Sequence, residues 1–352
     1  MRPLSSDITV ALKGVRAVSS EDIAMVCRVR LARNLADERF PEWATEHDRV
    51  RVLEKVKKAL QDAESTMVLR PLADFDATQL DMFCEAHIIS RDLLKHDMGA
   101  GIAYDPNVPF CVMVNEEDHL RIQGFAEGFD MQAAWHSADR LDTRLESQLT
   151  YAWSPRLGYL TACPSNVGTG LRASVMLHLL GLRLIGEMDA VMRGLERIRL
   201  LVRGIGGEGS EAAGQIYQIS NMDTLGVDEA TIVQRVTRIA CEVIHQERNA
   251  RIRLVREMPL VLMDCLARAL CLLQQARLLS SGEAVEFLSA LRLGASLGLV
   301  TRLNVRGVDK LIQDVQPGHL QKCFEKPLGC EERDARRADF LRSKLANVKL
   351  KG

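Results

Sequence analysis

The spacing of hydrophobic positions changes near residue 225, and the change divides the chain into two regions. Before that point, short apolar runs typical of strands alternate with stretches of helical periodicity. The strand-like runs are Ala24–Leu31, Thr66–Leu69, Phe110–Val114, Leu120–Phe125, Gly158–Thr161, Arg197–Val202 and Gln215–Ser220. The helical stretches are Glu46–Glu64, Thr78–Ile89, Met131–Leu145 and Leu171–Leu184. Because turn-like connections separate several runs, we predict an α+β fold with an antiparallel sheet flanked by helices.

After residue 225 almost every segment has helical periodicity. Two long helices are predicted over Glu229–Arg256 and Pro259–Leu279, and Pro259 separates them. Ser280 and Glu283 have capping-box spacing, so a third helix is expected at Glu283–Leu297. Shorter helices are expected near Asp309–Val315 and Glu332–Leu345. We therefore predict a boundary near residues 225–250, with one domain over residues 1–225 and an all-helical C-terminal domain over residues 226–352.

Composition narrows the classes of protein that fit this pattern. Forty-six basic and 47 acidic residues give a net charge of −1, so there is no general attraction to nucleic acid or membranes. Nine cysteines without a CxxC pair indicate free thiols in a reducing compartment. The N-terminus has no signal-peptide core, and the apolar run Met258–Leu273 is interrupted by Asp264 and Arg268. We expect a cytoplasmic protein that binds neither nucleic acid nor membranes.

Two segments combine strand patterns with charged side chains. In the first, Arg28 and Arg30 alternate on a strand, so both guanidinium groups point the same way and could grip polyphosphate oxygens. In the second, an apolar strand is followed by three acidic residues at 116–118, then His119 and Arg121. Here a carboxylate could face a cationic substrate while Arg121 lies near phosphate. Taken singly, a solvated strand face and a polar turn are the better interpretations.

Two further segments are loops. The first runs from the strand ending at Leu160 through Cys163-Pro164 and a glycine-containing stretch into the helix predicted at Leu171. A thiol at a helix start, near basic residues, favours the thiolate, although a lone Cys is more often structural. The second has glycines at 204, 206 and 209, as in a dinucleotide-binding fingerprint. Since a strand rather than a helix is predicted to follow, we interpret it as a hairpin loop carrying Glu208.

Taken together, RVRLARN, NEEDHLRI, CPSNVGTGLRAS and RGIGGEGSE resemble, in this order, the signature blocks of the phosphagen kinase family. The RGxxGEGSEA form of the fourth block and the helical C-terminal region are similar to the bacterial protein-arginine kinase branch. The resemblance implies a catalytic domain similar to that of glutamine synthetase. It implies that Glu117 and Glu208 hold the guanidinium with Cys163 beside it as a thiolate. It also implies that five arginines surround the phosphates of ATP: Arg28, Arg30, Arg121, Arg172 and Arg203.

The chemistry requires these residue types. A guanidinium is protonated at neutral pH and is not a nucleophile until a carboxylate takes its proton. A second carboxylate and a thiolate orient the acceptor, while Mg²⁺ and the arginines spread the charge of the transferring phosphoryl group. The metal is held mainly by phosphate oxygens and water, so we expect ATP and Mg²⁺ but no metal site built only from protein side chains.

Two departures from the wider family bear on the substrate. Kinases of free arginine or creatine carry a helical domain of roughly a hundred residues before the RVR motif, which here begins at Arg28. We therefore expect an open guanidino pocket that accepts arginine side chains of proteins. Near the C-terminus, Arg333, Asp334 and Arg337 match the RDxxRA motif, which the resemblance implies is a regulatory phosphoarginine-binding site. A charged helix end is the simpler interpretation of this segment taken alone.

The leading hypothesis is a protein-arginine kinase, and the alternative on the same fold is a phosphagen kinase of free arginine. A non-catalytic phosphoarginine-binding adaptor predicts loss of Glu117, Glu208 or Cys163, and all three are present. A dinucleotide oxidoreductase rests only on the glycine spacing. The resemblance further implies a stress-response role, with a Clp unfoldase–protease, a stress-response repressor and a zinc-binding activator as partners. The apolar C-terminal helices could also form a homodimer.

Overall fold

The computed structural model describes residues 15–62, 67–95, 98–105, 107–204 and 213–351. Its centre is an eight-stranded antiparallel sheet in the order β2-β3-β4-β5-β1-β8-β10-β9, beside a separate two-stranded hairpin, β6–β7. The strands are β1 (Ala24–Arg33), β2 (Val68–Pro71), β3 (Gly101–Tyr104), β4 (Phe110–Val114), β5 (Leu120–Glu127), β6 (Trp153–Ser154), β7 (Gly158–Tyr159), β8 (Leu171–His178), β9 (Leu200–Gly204) and β10 (Ile216–Asn221).

Helices pack on the sheet and continue beyond it. They are α1 (Glu46–Asp62), α2 (Ala77–Glu85), α3 (Met131–Glu146), α4 (Leu180–Leu184), α5 (Met188–Arg197), α6 (Glu229–Glu257), α7 (Pro259–Gln275), α8 (Ser281–Ser296), α9 (Val305–Asp314), α10 (Pro317–Gln321) and α11 (Cys330–Leu345). The expected α+β architecture with a helical C-terminal region is thus confirmed. No helix within the described ranges has both the length and the apolar character to cross a membrane.

The two faces of the sheet differ because side chains alternate along each strand. On β1, Cys27, Val29 and Leu31 are fully buried, whereas the intervening Arg28 and Arg30 face the other side. Helix α3 covers the apolar face of β1 and β5, and α6 covers β8 and β10. Both helices have an aspartate N-cap: Asp130 accepts a hydrogen bond from the Ala133 amide and Asp228 from the Thr231 amide. The apolar face is therefore sealed by helices, and the charged face is left for the site.

The largest hydrophobic cluster extends from the sheet into α6 and α7, and a second joins α7, α8, α9 and α11. The predicted division at residues 225/226 lies just before α6 and remains a prediction. All five predicted C-terminal helices are confirmed, within a few residues at their ends. The Ser280–Glu283 capping box is present, with both reciprocal hydrogen bonds formed.

One predicted element is wrong. The stretch Leu171–Leu184 was expected to be a helix, but Leu171–His178 is strand β8, and only Leu180–Leu184 is helical. Strand β8 lies between β1 and β10 and is buried along most of its length, so its apolar run has no alternation that distinguishes a strand from a helix. The pattern also missed the four-residue β3 and the exposed helix α5.

Candidate functional site

The antiparallel register brings five arginines to one face of the sheet. Arg30 lies directly opposite Arg172 of β8 and Gln123 of β5, and Arg121 is two residues from Gln123. Arg203 on β9 lies opposite Gln218, which in turn lies opposite Met176 of β8. Directly opposed residues share a face, as do residues two apart on one strand. We call the group Arg28, Arg30, Arg121, Arg172 and Arg203 the arginine array.

Within the array, positive charge is concentrated beyond what nearby carboxylates balance. Burial lowers the pKa of Arg28 to about 10, and repulsion from Arg121 and Arg172 adds to the effect. Burial also lowers the pKa of Arg30 well below its usual value, with further repulsion from Arg28, Arg121 and Arg172. The Nε atom of Arg30 is buried and finds no hydrogen-bond partner among the described residues. Buried guanidinium groups that repel one another and have unused donors are suited to binding a multiply charged anion such as polyphosphate.

A segment after α2 lies across the charged face, and we call residues 86–93 the strap. The Arg28 guanidinium donates to the His87 carbonyl at 3.4 Å and to Oε1 of Gln218 at 3.0 Å, both neutral oxygens. His87 has a positive φ of 57°. Its pKa is lowered to about 4, first by burial and then by Arg28 and Arg30. The strap therefore holds a neutral imidazole against the array.

The acidic residues form a tight turn between β4 and β5, as the polar-turn interpretation predicts. Asn115 has φ 57°, and its side-chain amide donates to the carbonyls of Arg49 and Gly99 at 2.8 and 2.7 Å. The Glu116 carboxylate is buried and accepts a hydrogen bond from Arg121 at 2.5 Å and another from the Ser90 hydroxyl of the strap. Glu116 thus fixes the position of Arg121.

Glu117 points toward the loop that contains Cys163. It lies close enough to the Cys163 side chain for that group to lower its pKa, and its carboxylate is 3.3 Å from Nη2 of Arg121. Burial raises the pKa of Glu117, and the neighbouring carboxylates of Asp118 and Glu116 add to this, while Arg121 and Cys163 oppose it. A carboxylate with a raised pKa is a stronger base for a protonated acceptor. The structure thus brings together Glu117, Cys163 and the array.

The loop carrying Cys163 is held from both sides. Asp118 accepts a hydrogen bond from the Ala162 amide at 2.6 Å, so the acidic turn fixes the start of the loop. The Thr224 hydroxyl is 2.9 Å from the Ser165 carbonyl and 2.8 Å from that of Val167. Gly168 has φ 114°, and a Cβ there would lie 2.2 Å from the Thr224 carbonyl oxygen, so only glycine fits.

The expected helix start beside Cys163 is not found. A short 3₁₀ turn, Pro164–Asn166, follows Cys163, and the chain then enters strand β8. The Cys163 sulfur lies 3.0 Å from the Ser165 hydroxyl oxygen. The cation that interacts with the Cys163 side chain is therefore Arg172, on strand β8.

The glycine-rich segment joins two antiparallel neighbours, β9 and β10, which agrees with a hairpin and not with a dinucleotide fingerprint. Glu208, the predicted second carboxylate, lies outside the described residues, as does the rest of 205–212.

The RDxxRA segment lies on α11, where its two arginines differ in environment. Arg337 is 2% exposed, and its guanidinium donates to the carbonyls of Val315 and Leu279 at 2.8 and 2.7 Å and to Asp334 at 2.5 Å. Arg333 is only half-buried, and its guanidinium contacts the Cys330 sulfur at 3.6 Å. The motif is therefore partly built into the helical packing and partly presented at the surface.

Several residues that shape the site were not identified from the sequence. Glu116 is adjacent to Glu117, and its place in the acidic run was a usable signal. His87 and Gln218 touch Arg28 across 59 and 190 residues of chain, and Thr224 reaches the Cys163 loop across at least 57. No pattern of residues close together in the sequence predicts such contacts.

Comparisons with known proteins identify the family of this chain. Residues 51–250 match the family model described as ATP:guanido phosphotransferase, C-terminal catalytic domain. Residues 259–352 match the model described as protein-arginine kinase McsB C-terminal domain. A protein-arginine kinase of Symbiobacterium thermophilum is 42% identical over 92% of this chain and 94% of its own length. One from Syntrophomonas wolfei is 37% identical over 98% of both chains.

Solved structures of guanidino kinases share the fold. A lombricine kinase matches with a TM-score of 0.58 and 26% identity, covering 68% of this chain and 75% of its own. A duplicated taurocyamine kinase from Schistosoma mansoni matches with a TM-score of 0.58 and 26% identity, covering 67% and 35% respectively. Since family models, relatives and fold agree, the protein is an ATP-dependent guanidino phosphotransferase. The chain belongs to the ATP:guanido phosphotransferase family and, within it, to the protein-arginine kinases.

Proposed function

We propose that this enzyme transfers the γ-phosphoryl group of ATP to arginine side chains of proteins. The observation that carries the proposal is the position of Glu117, which lies 3.3 Å from Arg121 of the arginine array and close to Cys163. It places a proton acceptor beside a set of phosphate-binding cations. The relatives named protein-arginine kinase, which align with nearly the whole chain, support a protein-borne acceptor.

In this proposal the array binds the phosphates of ATP. Arg28, Arg30 and Arg172 are the partly or fully buried cations of the sheet face, and phosphate oxygens supply the acceptors that Arg30 Nε lacks. Arg121, held by Glu116, and Arg203 complete the array from either side. The donors here are guanidinium groups, which suit phosphate oxygens rather than a cation. Mg²⁺ would therefore enter with ATP, bound to its phosphates, and would offset negative charge during transfer.

The acceptor guanidinium would bind between Glu117 and Glu208, with Cys163 beside it. As the terminal nitrogen attacks the γ-phosphorus, its proton passes to Glu117. The N–P bond forms while the bond from the γ-phosphorus to the bridging oxygen breaks, and ADP leaves with that electron pair. The raised pKa of Glu117 helps it accept the proton, and Cys163 as a thiolate would stabilise the remaining positive charge of the acceptor.

The C-terminal region would have a regulatory function in the same proposal. Residues 1–225 form the catalytic domain and 226–352 a C-terminal domain in which Arg333, Asp334 and Arg337 bind phosphoarginine. Helix α7 leaves Leu260, Val261 and Leu272 exposed, which gives a homodimer an apolar surface. Marking of proteins for Clp-type degradation in the cytoplasm, with a repressor as target and a zinc-binding activator, extends the proposal to the stress response.

A kinase assay with ATP and Mg²⁺, offering free arginine in one tube and unfolded casein in another, tests the proposal. We expect acid-labile phosphate on casein arginines, mapped by mass spectrometry, and little on free arginine. Glu117→Gln, which keeps the shape of the side chain, should lower the rate about 10²- to 10⁴-fold. The surface variant Glu54→Gln serves as its matched control. Preferential transfer to free arginine would favour the alternative, a phosphagen kinase.

A further inference from the structure

The first turn of α10 in the C-terminal region is capped by a carboxylate from a distant helix. Glu85, at the end of α2, accepts hydrogen bonds from the backbone amides of Gly318 at 2.6 Å and His319 at 3.0 Å. The His319 ring Nδ1 lies 2.7 Å from the same carboxylate. One side chain thus receives three contacts from residues more than 230 positions away.

Backbone packing makes this contact specific. A Cβ at Gly318 would lie 2.9 Å from the Asp81 Cβ and 3.0 Å from the Met82 amide nitrogen, so α2 and α10 approach as closely as backbones allow. The Glu85 side chain is 13% exposed. Burial opposes its ionisation, but the hydrogen bonds from His319 and Gly318 outweigh burial, and the pKa of Glu85 is lowered. The carboxylate is therefore held in its charged form at the contact.

The strap begins immediately after Glu85 and touches the array at several points. The His87 carbonyl accepts from Arg28, and the Ile88 carbonyl accepts from the Gln123 side chain at 2.7 Å. The Ser90 hydroxyl donates to Glu116, which holds Arg121. Two of the five array arginines are therefore positioned directly or through one intermediate by the strap.

The other end of the connection lies in the C-terminal helices. Val315, two residues before α10, has its carbonyl bound to the buried Arg337 of α11. Gln321, at the end of α10, donates to the carbonyls of Phe324 and Lys326. Helix α10 is thus tied at both ends to the segment that contains α11, and through Glu85 to the strap.

We propose that Glu85 is a positioning residue for ATP binding: by capping α10 it docks the C-terminal helices against the end of α2 and so fixes the start of the strap, which sets Arg28 and Arg121 for the nucleotide. This inference rests on the proposed nucleotide site at the array. Glu85 itself touches no substrate in the proposal. Its loss should therefore weaken ATP binding much more than it slows the transfer step.

The test compares Glu85→Ala, Glu85→Gln and His319→Gln with Glu187→Gln, which removes an ion pair with Arg253 away from the strap. Calorimetry would measure the Kd of MgATP, and initial rates would give KM for ATP and kcat. We expect Glu85→Ala to raise Kd and KM about 5- to 20-fold, which is less than the full contribution of its charge-assisted hydrogen bonds because the effect reaches the nucleotide only through the strap, with kcat within about twofold. Glu85→Gln, which keeps one acceptor oxygen, and His319→Gln should lie between wild type and Glu85→Ala, and Glu187→Gln should match wild type.

Hydrogen exchange of the nucleotide-free protein supplies a readout that ATP does not influence. Amides of the strap should exchange faster in Glu85→Ala, whereas those of α3 and α6 should not change. An unchanged Kd with unchanged strap exchange would overturn the inference, as would a fall in kcat at constant KM or faster exchange throughout the core. If the wild type bound no MgATP, or if Arg30→Gln bound it normally, the proposed nucleotide site would be wrong. The inference about Glu85, which depends on that site, would then be wrong as well.

Discussion

Two groups of buried arginines in this molecule have opposite surroundings. In the array, Arg28 donates only to neutral oxygens and Arg30 keeps a buried Nε without a partner among the described residues. Elsewhere, the four arginines that are at most 2% exposed each have their own carboxylate. The pairs are Arg33–Asp142, Arg251–Glu247, Arg292–Asp309 and Arg337–Asp334, with nitrogen–oxygen distances of 2.5–2.7 Å.

The second group also satisfies backbone carbonyls. Arg251 donates to the carbonyls of Asp22 and His178, and Arg292 donates to that of Asp22 at 2.6 Å. These side chains join the segment before β1 to the end of β8 and to α6, α8 and α9. We call Asp22, His178, Glu247, Arg251 and Arg292 the junction. The same residue type therefore serves as a closed structural link in one place and as an open cation in the other.

The difference teaches how to distinguish a binding arginine from a structural one. Desolvation penalises both groups, but only a paired guanidinium recovers the penalty within the protein. An unpaired one recovers it from a ligand. If this distinction is correct, substitutions of Arg28 or Arg30, which form no ion pair within the described ranges, should change activity and leave stability intact, and substitutions in the junction should do the reverse.

The largest effect should come from the array. Arg30→Gln removes a phosphate ligand, so kinase activity should fall about 10³-fold or more, as for other arginines that neutralise a transferring phosphoryl group. Its melting temperature should stay the same or rise, because a buried cation repelled by its neighbours is gone. Initial rates and a thermal melt check both halves. If the melting temperature of Arg30→Gln fell as far as that of a junction variant, the distinction between binding and structural arginines would be wrong.

The next largest effect should be on stability. Arg251→Met leaves the fully buried Glu247 without its cation, which should cost about 3–5 kcal/mol of unfolding free energy. Urea unfolding measures this loss. Adding Glu247→Gln should restore part of it, since the amide oxygen still accepts a bond from the Gly181 or Leu182 amide without a buried charge. Failure of the second substitution to restore stability would assign the loss to packing and not to charge.

A smaller effect should separate the two arginines of the RDxxRA segment. Arg337→Ala strips the Val315 and Leu279 carbonyls of their donors, which should cost about 2–3 kcal/mol. Arg333→Ala should stay within about 0.5 kcal/mol of wild type. It should nevertheless weaken phosphoarginine binding about tenfold, as one charge-assisted hydrogen bond is worth. Calorimetry would measure the affinity of each variant for phosphoarginine. Unchanged affinity in Arg333→Ala would remove this residue from the proposed regulatory site.

The smallest effect at neutral pH should come from the strap, where a change in stability develops only in acid. Because the pKa of His87 is about 4 in the folded protein and 6.5 as its usual value, only the unfolded chain takes up this proton between those pH values. Its contribution to stability is complete above pH 6.5 and is lost as pH falls toward 4, by at most about 1.4 kcal/mol per pH unit. His87→Gln should therefore lose less stability over this window. Parallel slopes for the two proteins would show that His87 is not buried in its neutral form.

Much of the architecture could be predicted from the chain because its signals are local. The alternation of Arg28 and Arg30, the capping box at Ser280 and the long periodic run after Asp228 each depend on residues close in sequence. Four ordered blocks then assigned the family. The helix predicted around Arg172 was wrong because β8 is a central strand. A strand buried on both sides has the same continuous apolar run as a buried helix.

What could not be predicted depends on contacts between distant residues. His178, Arg251 and Asp22 are separated by 73 and 229 positions, so no spacing rule joins them. The same holds for Glu85 and α10. Arg337 gives a second example: its i,i+4 spacing from Arg333 predicts a shared phosphate site, but the sequence of α11 alone does not indicate that its guanidinium also binds the Val315 and Leu279 carbonyls.

The two hydrogen bonds on the Asp22 carbonyl have a consequence for the order in which the protein becomes functional. Strand β1 is synthesised early, but Arg251 and Arg292, which bind the Asp22 carbonyl just before it, lie 229 and 270 residues after Asp22. A nascent chain that already contains every arginine of the array still lacks the side chains that secure its first strand. Kinase activity should therefore begin only after translation has passed the junction.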